Sequence, residues 1–224
     1  MRSPRHVVVT SDQSLVADTV SAALAGPDLA VTRLPWRETA RARVPVPRPA
    51  EAYDVGVLIS DLQPLIRLVE AQRLLEAVPT AWIVLTGAPR GPLWGAVIEA
   101  GAAAVLRSSC SLAQLRAGID RVAAREPLMS RGEQVRLQQA WRGIEAERRR
   151  AVENVRSLSP RESEVLALMH AGESVGSIAD RLGVSEATVR SQVRAVLRKL
   201  DVRSQLAAVA AYDTTREQIG DQPP

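Results

Sequence analysis

Over residues 1–126, short runs of consecutive apolar residues alternate with segments whose apolar residues recur every three or four positions. The short runs fit strands buried on both faces, and the periodic stretches fit helices laid over them. The spacing predicts strands at Val7–Thr10, Ala30–Leu34, Val55–Ser60, Ala81–Thr86 and Ala103–Arg107. Helices are predicted at Ser14–Ala25, Pro64–Ala77, Leu93–Ala100 and Leu112–Ala124. Alternation of this kind implies a parallel sheet covered by helices. The stretch Trp36–Glu51 breaks the rhythm, and Pro45, Pro47 and Pro49 predict an irregular loop replacing all or part of one helix.

Beyond residue 126 only helical periods remain. Leu137, Trp141, Ile144, Arg148, Ala151 and Val155 are spaced 4, 3, 4, 3 and 4, a heptad seam interrupted by a charge within one helix over Gly132–Arg156. Two readings stay open: a helix that pairs with its twin or packs on the first domain and transmits its state, or an amphipathic spacer. Arg148, Arg149 and Arg150 read as a solvated face balanced by Glu145, Glu147 and Glu153.

Residues 158–212 then read as four short helices. Ser159, Pro160 and Glu162 form a helix start with reciprocal capping, followed by an apolar face of Val165, Leu166 and Met169 and a stop at Gly172. A second helix, Val175–Leu182, buries Ile178, Ala179 and Leu182. Gly183 permits a left-handed turn, Val184 packs inward and Ser185 caps a third helix, Glu186–Leu200. This is the spacing of a helix-turn-helix corner. A fourth helix, Ser204–Tyr212, carries Leu206, Ala207 and Val209 to Ala211 as an apolar surface. The expected organisation is an α/β domain at 1–126, a helical linker at 127–156, an all-α domain at 157–212 and a flexible tail at 213–224.

At about 100° per residue, Val189, Val193, Val196 and Leu200 share one side of the third helix. Arg190, Ser191, Arg194 and Arg198 gather on another, with small Ala187. Such a face can enter a major groove, where an Arg fork pairs with guanine O6 and N7. Thr188, Gln192 and Lys199 occupy a third side, where backbone phosphates would lie, and Arg198 is a further expected phosphate contact.

Bulk charge adds little. The chain is net +4 with pI near 10.1, yet residues 158–224 carry 8 basic against 9 acidic side chains. What matters is local placement, since charges beyond ~8 Å are strongly screened at physiological salt. Thr188 to Arg203 holds five basic residues against Asp201 alone, including Lys199, the only lysine of the chain. One cysteine, Cys110, and two histidines exclude a disulfide framework and leave no zinc pattern; neither a cofactor nor a metal is expected. No apolar stretch approaches the ~18 residues of a membrane span, and a cytoplasmic location is expected. No nucleophile, base and orienter set points to an enzyme.

The segment Leu158–Tyr212 resembles the LuxR/NarL-type DNA-binding domain. Leu158, Pro160, Arg161, Glu162, Glu164, Val165 and Leu166 open the match, followed by Gly172, Ile178, Ala179, Leu182, Ser185, Thr188, Val189, Lys199 and Leu200. The resemblance implies base contacts at Arg190, Ser191 and Arg194, phosphate contacts at positions such as Ser185, Thr188 and Lys199, and a homodimer on double-stranded DNA with the last helix as a dimerisation surface. Gln192 and Asp201 depart from the residues common there. A sigma-factor region with a similar helix-turn-helix, or a regulator whose carboxyl domain contacts another protein and not DNA, are the alternatives.

Placed before such a domain, the five-stranded pattern looks like a CheY-like receiver of a response regulator. That resemblance implies an acid pair holding Mg²⁺, an acceptor Asp ending the third strand, a hydroxyl after the fourth and a Lys after the fifth. The aligned positions hold Ser11 and Asp12, Ile59 with Asp61 two residues later, Thr86 and Ser108. The set is degenerate, with Asp12 expected as a solvated loop residue and Asp61 as a helix N-cap. Conventional aspartyl phosphorylation is not expected; the domain would serve as a dimerisation scaffold or bind a small-molecule or protein effector.

Overall fold

The structure, a computed structural model, describes residues 4–41 and 53–219. It divides into two compact units, residues 1–144 and 145–224.

The first unit is a five-stranded parallel sheet in the order β2-β1-β3-β4-β5. In chain order it runs β1 (Arg5–Ser11), α1 (Ser14–Leu24), β2 (Leu29–Arg33), α2 (Trp36–Arg41), β3 (Val55–Ile59), α3 (Leu65–Ala77), β4 (Ala81–Thr86), α4 (Pro92–Glu99), β5 (Ala102–Arg107) and α5 (Leu112–Ala123). This strand order is that of flavodoxin-like doubly wound folds, whose ligands sit at the carboxyl edge of the sheet. Alternation decides the two layers. Val7, Val9, Val55, Val57 and Ile59 pack with Leu115 and Ile119 of α5, while Val8 and Leu58 pack with Leu68 and Leu74 of α3. Because both faces are covered, Val7, Val8 and Val9 are all fully buried, which is why the strand reads as an unbroken apolar run.

Two expectations about this unit are corrected. Residues Trp36–Arg41 form a helix where a loop was expected. Trp36 and Ala40, four residues apart, are both buried, and the Trp36 indole donates to Glu70 Oε2 at 2.8 Å. The prolines at 45, 47 and 49 lie outside the described residues. The first unit also extends well past residue 126. A 26-residue helix, α6 (Arg131–Arg156), begins within it and buries Leu137 and Trp141 in the same core as α3 and α4. Gly95 of α4 makes that contact close, since a Cβ there would stand 2.0 Å from the Leu137 carbonyl oxygen. The heptad seam is therefore divided: Leu137 and Trp141 serve the first unit, Ile144 is 38% exposed, and Val155 packs on the second unit's core.

The second unit contains α7 (Pro160–His170), α8 (Val175–Leu182), α9 (Glu186–Lys199) and α10 (Gln205–Ile219) around Leu166, Ile178, Val189 and Val196. The last helix does not stop at Tyr212, so residues 213–219 are helical where a flexible tail was expected. Ala208 and Thr215, seven residues apart on one face, are 0% and 1% exposed. The Thr215 hydroxyl satisfies itself on the Ala211 carbonyl at 2.8 Å, and Asp213 meets His170 Nε2 at 2.5 Å.

Candidate nucleic-acid interface

The carboxyl edge of the sheet gathers several of the receiver-like positions but arranges them differently from expectation. Ile59 turns into the α1/α5 side of the core and is only 9% exposed, so it faces no site. Ser60 follows the strand instead. Its hydroxyl accepts from the Leu62 N–H at 3.2 Å and donates to Asp12 Oδ2 at 3.3 Å. Asp12 is not a solvated loop residue: its side chain is 13% exposed and lies 3.5 Å from the Arg67 guanidinium. Asp61 does not cap a helix either, since α3 starts after Pro64 without a side-chain cap, and its carboxylate accepts the Gly87 N–H at 3.0 Å. Thr86 is fully buried and accepts from the Ala88 N–H at 3.1 Å. The Ser11 hydroxyl accepts from the Gln13 N–H at 3.1 Å, and Ser108 is exposed.

In the second unit the local code works as written. Ser159 and Glu162 form both halves of a capping box on α7, with Pro160 as the first helical residue. Ser174 caps α8, Gly183 takes φ 64° at its end, and Ser185 caps α9 through the Thr188 N–H. The Ser185 and Thr188 hydroxyls are also 2.9 Å apart. Val189, Val193 and Val196 of α9 are buried, whereas Ala187, Arg190, Ser191, Arg194 and Arg198 are exposed along its opposite side. Arg190 pairs with Glu186 one turn back. Arg194 and Arg198 have no ion-pair partner among the described residues. Gln192 is half-buried at the margin of the stripe.

Lys199 is engaged within the second unit. Its ammonium lies 2.6 Å from Glu162 Oε2, a carboxylate only 6% exposed, and 3.4 Å from the Ser157 carbonyl. Glu162 therefore serves two donors, the Ser159 N–H at 2.7 Å and Lys199. The lysine first, and the capped N–H second, hold its carboxyl below the ordinary glutamate range. A cation so engaged ties the end of α9 to the start of α7.

Residues 156–211 match the family described as "GerE: Bacterial regulatory proteins, luxR family". This segment is similar to the luxR family of bacterial regulatory proteins. No curated protein matches the chain in sequence. Among solved structures, the response regulator ChrA of a heme-sensing two-component system is similar over 95% of this chain and 98% of that one, at 20% identity and a TM-score of 0.44. RcsB of Salmonella typhimurium is similar over 93% and 99%, at 19% and 0.46. FixJ from B. japonicum is similar over 96% and 98%, at 22% and 0.43.

The luxR-like segment gives Asp201 a backbone reason for being unusual. It takes φ 56°, a left-handed conformation that glycine and asparagine adopt more readily. Sequence reasoning missed Ser60, Arg67 and Glu70 in the first unit. Strand parity was the available signal for Ser60, because Val55, Val57 and Ile59 share one face. For Arg67 there was none, since its partner lies 55 positions away in the chain.

Proposed function

We propose that the chain is a dimeric, sequence-specific transcriptional regulator that reads DNA through α9. Arg190, Ser191 and Arg194 contact base edges, and Ser185, Thr188, Gln192 and Arg198 set the register on phosphates. The observation that carries this reading is the stripe of exposed Arg190, Ser191, Arg194 and Arg198 on a helix whose other side is locked in the core. Small Ala187 and Ser191 within it allow close approach to the groove floor. A role on the chromosome sets its place of work in the cytoplasm.

The receiver-like unit acts without conventional aspartyl phosphorylation, as a dimerisation scaffold or through a small-molecule or protein effector that favours one of two states. Ser60 at the strand end offers no carboxylate to phosphorylate, and Asp61 is engaged by Gly87. Binding is tested by titrating cognate and random duplexes over a range of salt. Affinity should fall log-linearly with a slope near −0.9 per phosphate contacted. A salt-insensitive interaction would remove DNA as the partner. Acetyl phosphate with Mg²⁺ should leave the intact mass unchanged; a labile phosphate adduct would refute phosphorylation independence.

A further inference from the structure

A receiver works with a divalent cation held by an acid pair beside the acceptor carboxylate, and the residues here do not fit one. Mg²⁺ binds through one or two carboxylates with near-octahedral oxygen geometry. At the acid-pair positions the edge of this sheet offers the Asp12 carboxylate beside a Ser11 hydroxyl already used on the Gln13 N–H, a Ser60 hydroxyl is directed at Asp12 itself, and the Asp61 carboxylate is taken by the Gly87 N–H. The Asp12 carboxylate is already matched by a cation from the chain. Arg67 Nε lies 3.5 Å from Asp12 Oδ2, and Arg67 Nη1 lies 2.8 Å from Glu70 Oε2. Glu70 Oε2 in turn accepts the Trp36 indole N–H at 2.8 Å.

We propose that Arg67 is the built-in cation of the receiver-like site, neutralising Asp12 permanently where a receiver would take up Mg²⁺. A planar guanidinium suits the task because its fork of donors engages two carboxylates at once. Its side chain is 29% exposed and that of Asp12 13%, so the pair is shielded from the solvent that would otherwise compete. The chain of contacts from Ser60 through Asp12, Arg67 and Glu70 to Trp36 joins the ends of β1 and β3 to α3 and α2. Those ends are where a receiver responds to its phosphoryl group, and here they are tied together by groups that no metal or phosphate donor controls. This inference rests on the reading of the first unit as phosphorylation-independent and names the residue that makes it so.

Titration of the full-length protein with Mn²⁺, followed by electron paramagnetic resonance of the free ion, should show no saturable binding at millimolar concentration. Saturable binding by the unaltered protein would overturn the proposal without any variant. Arg67→Met keeps the apolar stem and removes the charge. It should lower the tryptophan-monitored melting temperature by a few degrees, and Mg²⁺ should recover part of that loss. The unaltered protein and Arg67→Lys should be indifferent to Mg²⁺, and adding Asp12→Asn to Arg67→Met should abolish the recovery. Mg²⁺ indifference of Arg67→Met, or recovery that persists without the Asp12 carboxylate, refutes the assignment. If Arg67→Met does not fold, Arg67→Lys decides with the Mn²⁺ titration, since a Mg²⁺-dependent melting shift in it would also refute. A phosphate adduct on the unaltered protein would instead refute phosphorylation independence itself, so the two failures are separable.

Discussion

Replacing Lys199 with Met separates a structural lysine from a phosphate-binding one. The substitution keeps the stem and removes the ammonium that lies 2.6 Å from Glu162. A hydrogen bond to a charged group contributes about 1.5–3 kcal/mol. The lysine side chain is 35% exposed, so solvent screening trims the expected loss to about 1–2 kcal/mol. Glu162 keeps the Ser159 N–H, which limits the damage to the loss of one partner. For a unit of this size each kcal/mol moves the melting temperature by roughly 4–8 °C. The two units can be watched apart, because Trp36, Trp82, Trp94 and Trp141 all lie in the first. Tryptophan emission should therefore melt unchanged while the helical circular-dichroism transition of the second unit shifts down. The slope of log affinity against log salt should stay as it was. An unshifted transition together with a slope reduced by about 0.9 would show Lys199 on a phosphate and refute the structural role.

Arg194→Ala should cost about 1–3 kcal/mol on the cognate site and relax its base preference; equal loss on cognate and random duplexes, measured by fluorescence anisotropy, would remove it from base reading. Gly95→Ala should cost about 1–3 kcal/mol or more by overpacking, since its Cβ would meet the Leu137 carbonyl, whereas Gly143→Ala, with nothing within 4 Å, should raise stability by about 0.5–1 kcal/mol; urea unfolding monitored at both probes distinguishes them. The depressed carboxyl of Glu162 sets an acid limit: its contribution is present above the unfolded value near 4.3 and is lost as pH falls through the lower folded value. Melting of the second unit should drop over that window, and Glu162→Gln should flatten the dependence.

Features carried by neighbours in the chain were legible. The capping box at Ser159 and Glu162, the left-handed Gly183 and the Ser185 cap are each settled within three or four residues, so spacing reveals them. The parallel sheet was legible for a related reason, because burial on both faces writes itself as an apolar run. What escaped depends on distance along the chain or on residue types that mislead. Lys199 and Glu162 are 37 positions apart, and nothing in either segment announces that α9 ends beside the start of α7. Trp36–Arg41 was read through the prolines beyond it, although Trp36 and Ala40 already had helical spacing. The helical tail is not announced by residue type, because Thr215 is polar by type yet buried by position. Ile59 stands at the aligned acceptor position, yet the two-residue period of the strand assigns it to the core.

A segment with more acidic than basic residues can still grip a polyanion if its acids are spent elsewhere. Glu162 is held by Lys199, Glu164 by Arg161, Glu173 by Arg181, and Asp213 meets His170. Only Glu186 stands on α9, and it engages Arg190. Both members of that pair are more than half exposed, so the interaction is worth at most about 1 kcal/mol and yields to a stronger partner. Its cost still falls on Arg190 alone, because a guanine must first displace the glutamate. On the proposed reading, Arg194 and Arg198 would meet DNA with no such exchange. On that reading, Arg194→Ala is therefore expected to cost more affinity than Arg190→Ala, and Glu186→Ala to narrow that difference, as read by fluorescence anisotropy on the cognate duplex.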